Sequence, residues 1–185
     1  MMNPTQELEA EHNAILAALR ILNALVQQML AETAVPPDDV AELLGFLKEF
    51  ADKCHHGKEE GALFPALLKA DDNLREPVLI MLAEHAEGRR LVRAMEAAFV
   101  PPVRREEFVS AAKDYIRLLQ AHIEKENRFL FQTTNRLLTG PELEAIADEF
   151  EAFEKKVIGH ERHEQLHRLL ETLKAKYGQP TLTCF

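Results

Sequence analysis

His55-x-x-x-Glu59-x-x-x-x-Phe64 recurs as His122-x-x-x-Glu126-x-x-x-x-Phe131, and a Glu-His pair precedes each copy, Glu11-His12 and Glu84-His85. His12 and His55 lie 43 positions apart, His85 and His122 37. This order reads as an internal duplication of a helix pair. Residues four apart stack on one face of an α-helix, so each His–Glu pair points at one spot. Where neighbouring helices run antiparallel, His12 meets the level of His55 and Glu59, and His85 that of His122 and Glu126.

The rest of the chain supplies such helices. Proline, glycine and Asp-Asn breaks divide it into five helical segments, at about 5–32, 38–69, 74–99, 104–138 and 141–176, with Thr5 as the expected first N-cap. Ile15, Leu19, Leu22, Val26 and Met29 recur at helical spacing in the first segment, and Val40, Leu43, Leu47 and Phe50 in the second. No segment reads as a strand, and the short loops favour antiparallel neighbours. The expected fold is all-α: an up-down four-helix bundle over residues 1–140, an additional C-terminal helix over 141–177 packed on the same domain, and a tail at 178–185.

Composition narrows the partners. With a formal charge of −9, the chain lacks the clustered basic surface that nucleic acid requires. No uninterrupted apolar run approaches the roughly 18 residues of a membrane span, and the N-terminus has no signal-peptide pattern. The two cysteines, Cys54 and Cys184, suggest no disulfide framework. The expectation is a cytoplasmic protein with neither a nucleic-acid nor a membrane partner.

Glutamate is abundant, and composition alone predicts about one His-x-x-x-Glu pair among the histidines. The chain has five such pairs, at 55/59, 56/60, 122/126, 160/164 and 167/171. A single pair is ordinarily a solvated ion pair; duplication with matching Phe and upstream Glu-His removes that reading for the set. Four imidazoles and two carboxylates would then converge in the interior, at a cost of several kcal/mol if uncompensated. Metal ions remove that cost. Aligning the copies on phenylalanine turns His55 and Glu59 inward and sets His56 and Glu60 about 100° round the helix, as outer-sphere or surface residues. Tyr115, two turns before His122, is a further candidate outer-sphere donor. Phe64, Pro65, Phe129 and Phe131 are expected to wall the site, with Pro65 kinking its helix.

The stretch 55-HHGKEEGALFP-65, with Glu-His at the head of the preceding helix, resembles the haemerythrin-like HHE cation-binding family over about residues 8–138. The resemblance implies a non-haem di-iron centre (Mn or Zn being the other metals that suit the donors) with an oxo or hydroxo bridge. His12, His55, His85 and His122 would be terminal ligands, and Glu59 and Glu126 the bridges. Asn127 stands where oxygen carriers end their last motif in aspartate, and Arg89 rather than histidine follows His85 at +4. Reaction with or sensing of O2, NO or peroxide is therefore implied in preference to oxygen transport. A metal store, or a metal-stabilised interaction module without turnover, is the alternative.

Four nitrogens leave one metal under-ligated. In 160-HERHEQLHRLLE-171, His163 and His167 are candidate additional ligands. His163-Glu-Gln-Leu-His167 also fits the HExxH zinc-protease pattern, but the absence of a strand to hold substrate argues against it. His55-x-x-Lys58 has a phosphotransfer spacing, yet Glu59 stands where that motif needs glycine.

Overall fold

A computed structural model describes residues 3–178. It has six helices and no strand among these residues: α1 (Pro4–Leu30), α2 (37–70), α3 (Arg75–Phe99), α4 (105–137), α5 (Gly140–Val157) and α6 (His160–Tyr177). The expected tail, with Cys184, lies outside the described residues except for Gly178.

Local chemistry sets the boundaries. Asn3, not Thr5, caps α1: its side chain accepts from the Thr5 N–H, and Pro4 takes the first helical position, where a missing N–H costs nothing. The expected fifth segment is two helices. The Ile158 and Gly159 N–H groups both bond back to the Glu154 carbonyl, and Gly159 has φ 77°, a conformation that terminates a helix and favours glycine. The sequence reading passed over this glycine.

α1 packs on α2 and α4, and α3 on α2 and α4, while α5 and α6 lie on α1 and α2. α1 is more apolar than uninterrupted runs suggested: Arg20, Asn23, Gln27 and Gln28 interrupt its apolar string with a single charge among them, and its length and composition match a membrane span. Its Leu8, Ile15, Leu19, Leu22 and Val26 are buried within the bundle.

The interior has two apolar clusters. One contains Ile15, Phe50, Ala51, Leu91, Leu119 and Ile123; the other contains Leu8, Leu63, Phe64, Met81, Leu130 and Phe131. His12, His55, Glu59, His85 and Glu126 fall between these sets along the long helices, His122 sits at the edge of the first beside Ile123, and all six are buried. The polar residues thus form a layer between two greasy ones.

Two of the long helices widen at this layer. π-helical turns run over Leu47–His56 and Glu59–Leu63 in α2 and over Glu126–Leu130 in α4. The Phe64 N–H bonds the Glu59 carbonyl, and the Phe131 N–H bonds that of Glu126. The Glu-x-x-x-x-Phe spacing is therefore the i→i+5 bond of a π turn. Pro65 is not its cause, because Gln132 occupies the equivalent position beside the same turn.

Gly57 admits α5 to α2. A Cβ there would lie 2.5 Å from Phe153 Cζ and 2.7 Å from Cε1, well inside van der Waals contact. Gly57→Ala is expected to displace Phe153 and cost about 1–3 kcal/mol by overpacking. Urea unfolding checks this; unchanged stability would mean the ring moves freely.

Candidate metal centre

Glu59 and Glu126 are fully buried, at 0% exposure. Glu126 Oε2 lies 3.2 Å from both His12 Nε2 and His122 Nε2. Glu59 lies 3.6 Å from His55 Nε2 and 3.5 Å from His85 Nε2. Each carboxylate thus stands between a histidine of one helix pair and a histidine of the other. Donor atoms within 4.8 Å of one another form two adjoining groups: His12, His55, Glu59 and Glu126, and His56, Glu59, His85 and His122.

The outer ring nitrogens explain the inner ones. His55 Nδ1 pairs with Glu11 at 2.8 Å, His122 with Glu84 at 2.9 Å, His85 with Glu60 at 2.7 Å and His12 with Asn127 Oδ1 at 2.8 Å. An ionised carboxylate or an amide oxygen only accepts, so each Nδ1 carries the proton. Each Nε2 then directs a lone pair inward. His85 and His122 bring theirs within 3.1 Å of each other. Nε2 of His12 and His55 and all four oxygens of Glu59 and Glu126 have no hydrogen-bond partner. Buried acceptors facing one another without protons are costly, and cations of the right size satisfy them. The donor set therefore fits metal ions.

Titration agrees with this geometry. Burial, then the Glu126 charge, pushes the Glu59 carboxyl well above its usual range. Burial acts on Glu126 too, but positive charge on His122 and His12, the state that competes with a bound cation, outweighs it and holds that carboxyl down to about 2. Burial, reinforced by neighbouring imidazoles, depresses His55 and His56 strongly. His85 is depressed by burial, with Glu60 opposing. Neutral imidazole is the ligating form.

The Glu-His pairs have a second function that the sequence reading missed. Glu11 orients His55 and Glu84 orients His122, across helices, and each glutamate is gripped by the lysine one residue before a buried glutamate. Lys58 bonds Glu11, and Lys125 bonds Glu84. The repeated signal, lysine at +3 in both His-x-x-Lys-Glu copies, was visible. The relay is asymmetric: Lys58 is 0% exposed, held also by Glu7 at 2.7 Å and lying under the Phe150 ring, whereas the Lys125 side chain is 43% exposed.

His56 corrects the helical-phase argument. It is 3% exposed and belongs to the interior group. The 100° step assumed 3.6 residues per turn; the π turn through Leu47–His56 spreads the turn over more residues, so consecutive histidines both reach inward. Glu60 lies outside the centre, bonded to His85. Tyr115 is buried beside Gly88 and has no bond to an interior histidine among the described residues. Phe64 stacks on His85 and Phe131 on His12, at 5.8 and 5.4 Å. Phe129, expected to wall the site, is instead 49% exposed on the π turn of α4. His163 and His167 do not reach the interior groups: the break at Gly159 lays α6 along α1 and α2, where these rings pack on Phe50. His163 instead lies near Glu11, Cys54 and Glu154, and burial pushes the Cys54 thiol up to about 12.

Residues 3–134 match the Hemerythrin HHE cation binding domain, and the chain belongs to that family. It is also similar to uncharacterized proteins of Mycobacterium tuberculosis and Mycobacterium bovis, 24% identical over 160 residues, covering 83% of this chain. The chain spans 62% of the length of these relatives. No solved structure matches it.

Two predictions concern the metal-free protein. Lys58→Met, which strands the buried Glu11 carboxylate, should cost about 3–5 kcal/mol. Lys125→Met should cost less than about 1 kcal/mol; equal losses in chemical denaturation would contradict the asymmetry. The depressed histidines stay neutral in the native state while the unfolded chain takes up protons below about pH 6.5, so stability should fall as pH drops through that value. Glu59, shifted upward, opposes this by holding a proton that the unfolded chain has released. Glu59→Gln should therefore steepen the fall, as read from unfolding curves at about pH 7.5 and 5.5.

Proposed function

We propose that the chain is a non-haem di-iron protein that reacts with or senses O2, NO or peroxide. Its scaffold would be an up-down four-helix bundle carrying α5 and α6 as additions. The order of the two apolar clusters along the chain, which reverses from each long helix to the next, supports that topology. The observation that carries the functional reading is the convergence of unprotonated imidazole nitrogens on two shared, unpartnered carboxylates. The donors are nitrogen and carboxylate oxygen without thiolate, which suits iron or manganese, with zinc able to compete.

In this reading His12 and His55 hold one ion, His56, His85 and His122 the other, and Glu59 and Glu126 hold the pair together. Bound iron would supply a redox-active Lewis acid for a small oxygen or nitrogen ligand. Glu11, Glu60, Glu84 and Asn127 fix the tautomer and aim of each ring. Phe64 and Phe131 exclude water. The His12 side offers fewer imidazoles than the His85 side, and Phe131 covers it.

The near-complete burial of every donor also suits a static metal-stabilised module. Metal analysis by plasma emission and absorption spectroscopy of untagged protein separates the two. The expected result is about two irons per chain, from the two interior groups, with near-ultraviolet absorption that bleaches on reduction. A colourless, zinc-loaded protein would sink the redox reading. Glu59→Ala and Glu126→Ala should each drop loading below two. His56→Ala should lower it as well; full loading in that variant would exclude His56 as a ligand.

A further inference from the structure

Four of the five interior imidazoles have Nδ1 held at 2.7–2.9 Å. His56 does not. Asp52 Oδ1 lies 3.5 Å from its Nδ1 and is engaged by Arg89 Nε at 2.7 Å. Both ring nitrogens of this buried side chain consequently lack a hydrogen bond.

His56 also forms part of the wall of a cavity of about 270 Å³ between α2 and α3. Leu47, Gly88, Val92 and Tyr115 give the cavity an apolar side. Among its charged residues, Lys48 is paired with Glu96, and Arg89 with Asp52 and Glu60. Lys53 and Arg93 line the same cavity and form no ion pair among the described residues. The space is thus cationic in a chain of formal charge −9. Gly88 contributes to it. A Cβ there would meet Tyr115 and Leu119 only at 3.6 Å, so packing does not demand glycine in the middle of α3, where it costs about 1 kcal/mol against alanine.

We propose that this cavity binds a small organic carboxylate, a short-chain or single-ring acid. Its carboxylate would lie between Lys53 and Arg93 and accept a hydrogen bond from His56 Nδ1–H, with its apolar body against Val92 and Tyr115. The volume is at the small end for ligand pockets. The bound acid supplies the outer partner that His56 lacks and so couples the cavity to the metal centre. That coupling rests on the di-metal reading; binding itself does not.

Hexanoate and 1-hexanol are the probes, used on the metal-loaded chain. The sequence has two tyrosines and no tryptophan, so in a Tyr177→Phe background Tyr115 is the sole strong emitter and reports on the cavity. Hexanoate should change its emission saturably and bind at least about tenfold more tightly than hexanol. Arg93→Glu and Lys53→Glu should each weaken hexanoate about tenfold and leave hexanol unchanged. Saturation should also shift the absorption of the centre. No saturable response up to about 10 mM hexanoate, or equal affinity for hexanol, would overturn the site. Binding without a spectral shift in metal-loaded protein would overturn the contact with His56. If the chain proves metal-free while Tyr115 still responds, the metal reading fails and the cavity stands.

Discussion

Two carboxylates, Glu59 and Glu126, face each other with no exposed surface in the middle of a helical core. Removing such groups from water costs several kcal/mol each unless charge and hydrogen bonds replace the solvent. Almost every other feature of the interior answers that cost. Four imidazoles present lone pairs rather than protons, four outer acceptors hold them that way, and two aromatic rings close the layer. The metal-free centre is held together by its surroundings against its own electrostatics, as expected of a site preorganised for cations.

Duplication explains how the arrangement is built, and divergence between the copies gives it direction. Both halves use one device: a lysine grips a glutamate, the glutamate aims a histidine from the neighbouring helix, and a π turn begins at the interior glutamate and ends at the phenylalanine. Two differences between the halves matter most. His56 in the first copy faces Ile123 in the second as its equivalent, which makes the donor set unequal. Lys58 is covered by α5 while Lys125 meets solvent, so the C-terminal addition seals one relay and not the other. The asymmetries place the richer imidazole set beside the cationic cavity and the sealed relay beside His55.

Much of the interior was legible in the residues. Spacing and duplication together pointed to His12, His55, Glu59, His85, His122 and Glu126 as a convergent set: four-residue spacing has one meaning on a helix, and the repeated Glu-His pair brought in His12 and His85. The reading failed where the helix departs from ideal geometry or where distant segments meet. His56 was set aside by a rotation that a π turn does not obey. Gly159 was read through, and the resulting single helix would have carried His163 and His167 to a different place. Lys58 was noted only for a phosphotransfer spacing and Lys125 not at all, because their partners lie 47 and 41 residues away, beyond the reach of any local rule.

The sequence by itself determined the helical class, the duplication and the identity of the interior donors, because hydrophobic period, breakers and His–Glu spacing are properties of neighbouring residues. Only the tertiary structure decided which ring nitrogen faces inward, that a fifth histidine joins the layer, and that α5 seals one lysine while the other stays in water. Those outcomes depend on contacts across helices and on how far a π turn rotates the side chains that follow it, and neither is written in local order.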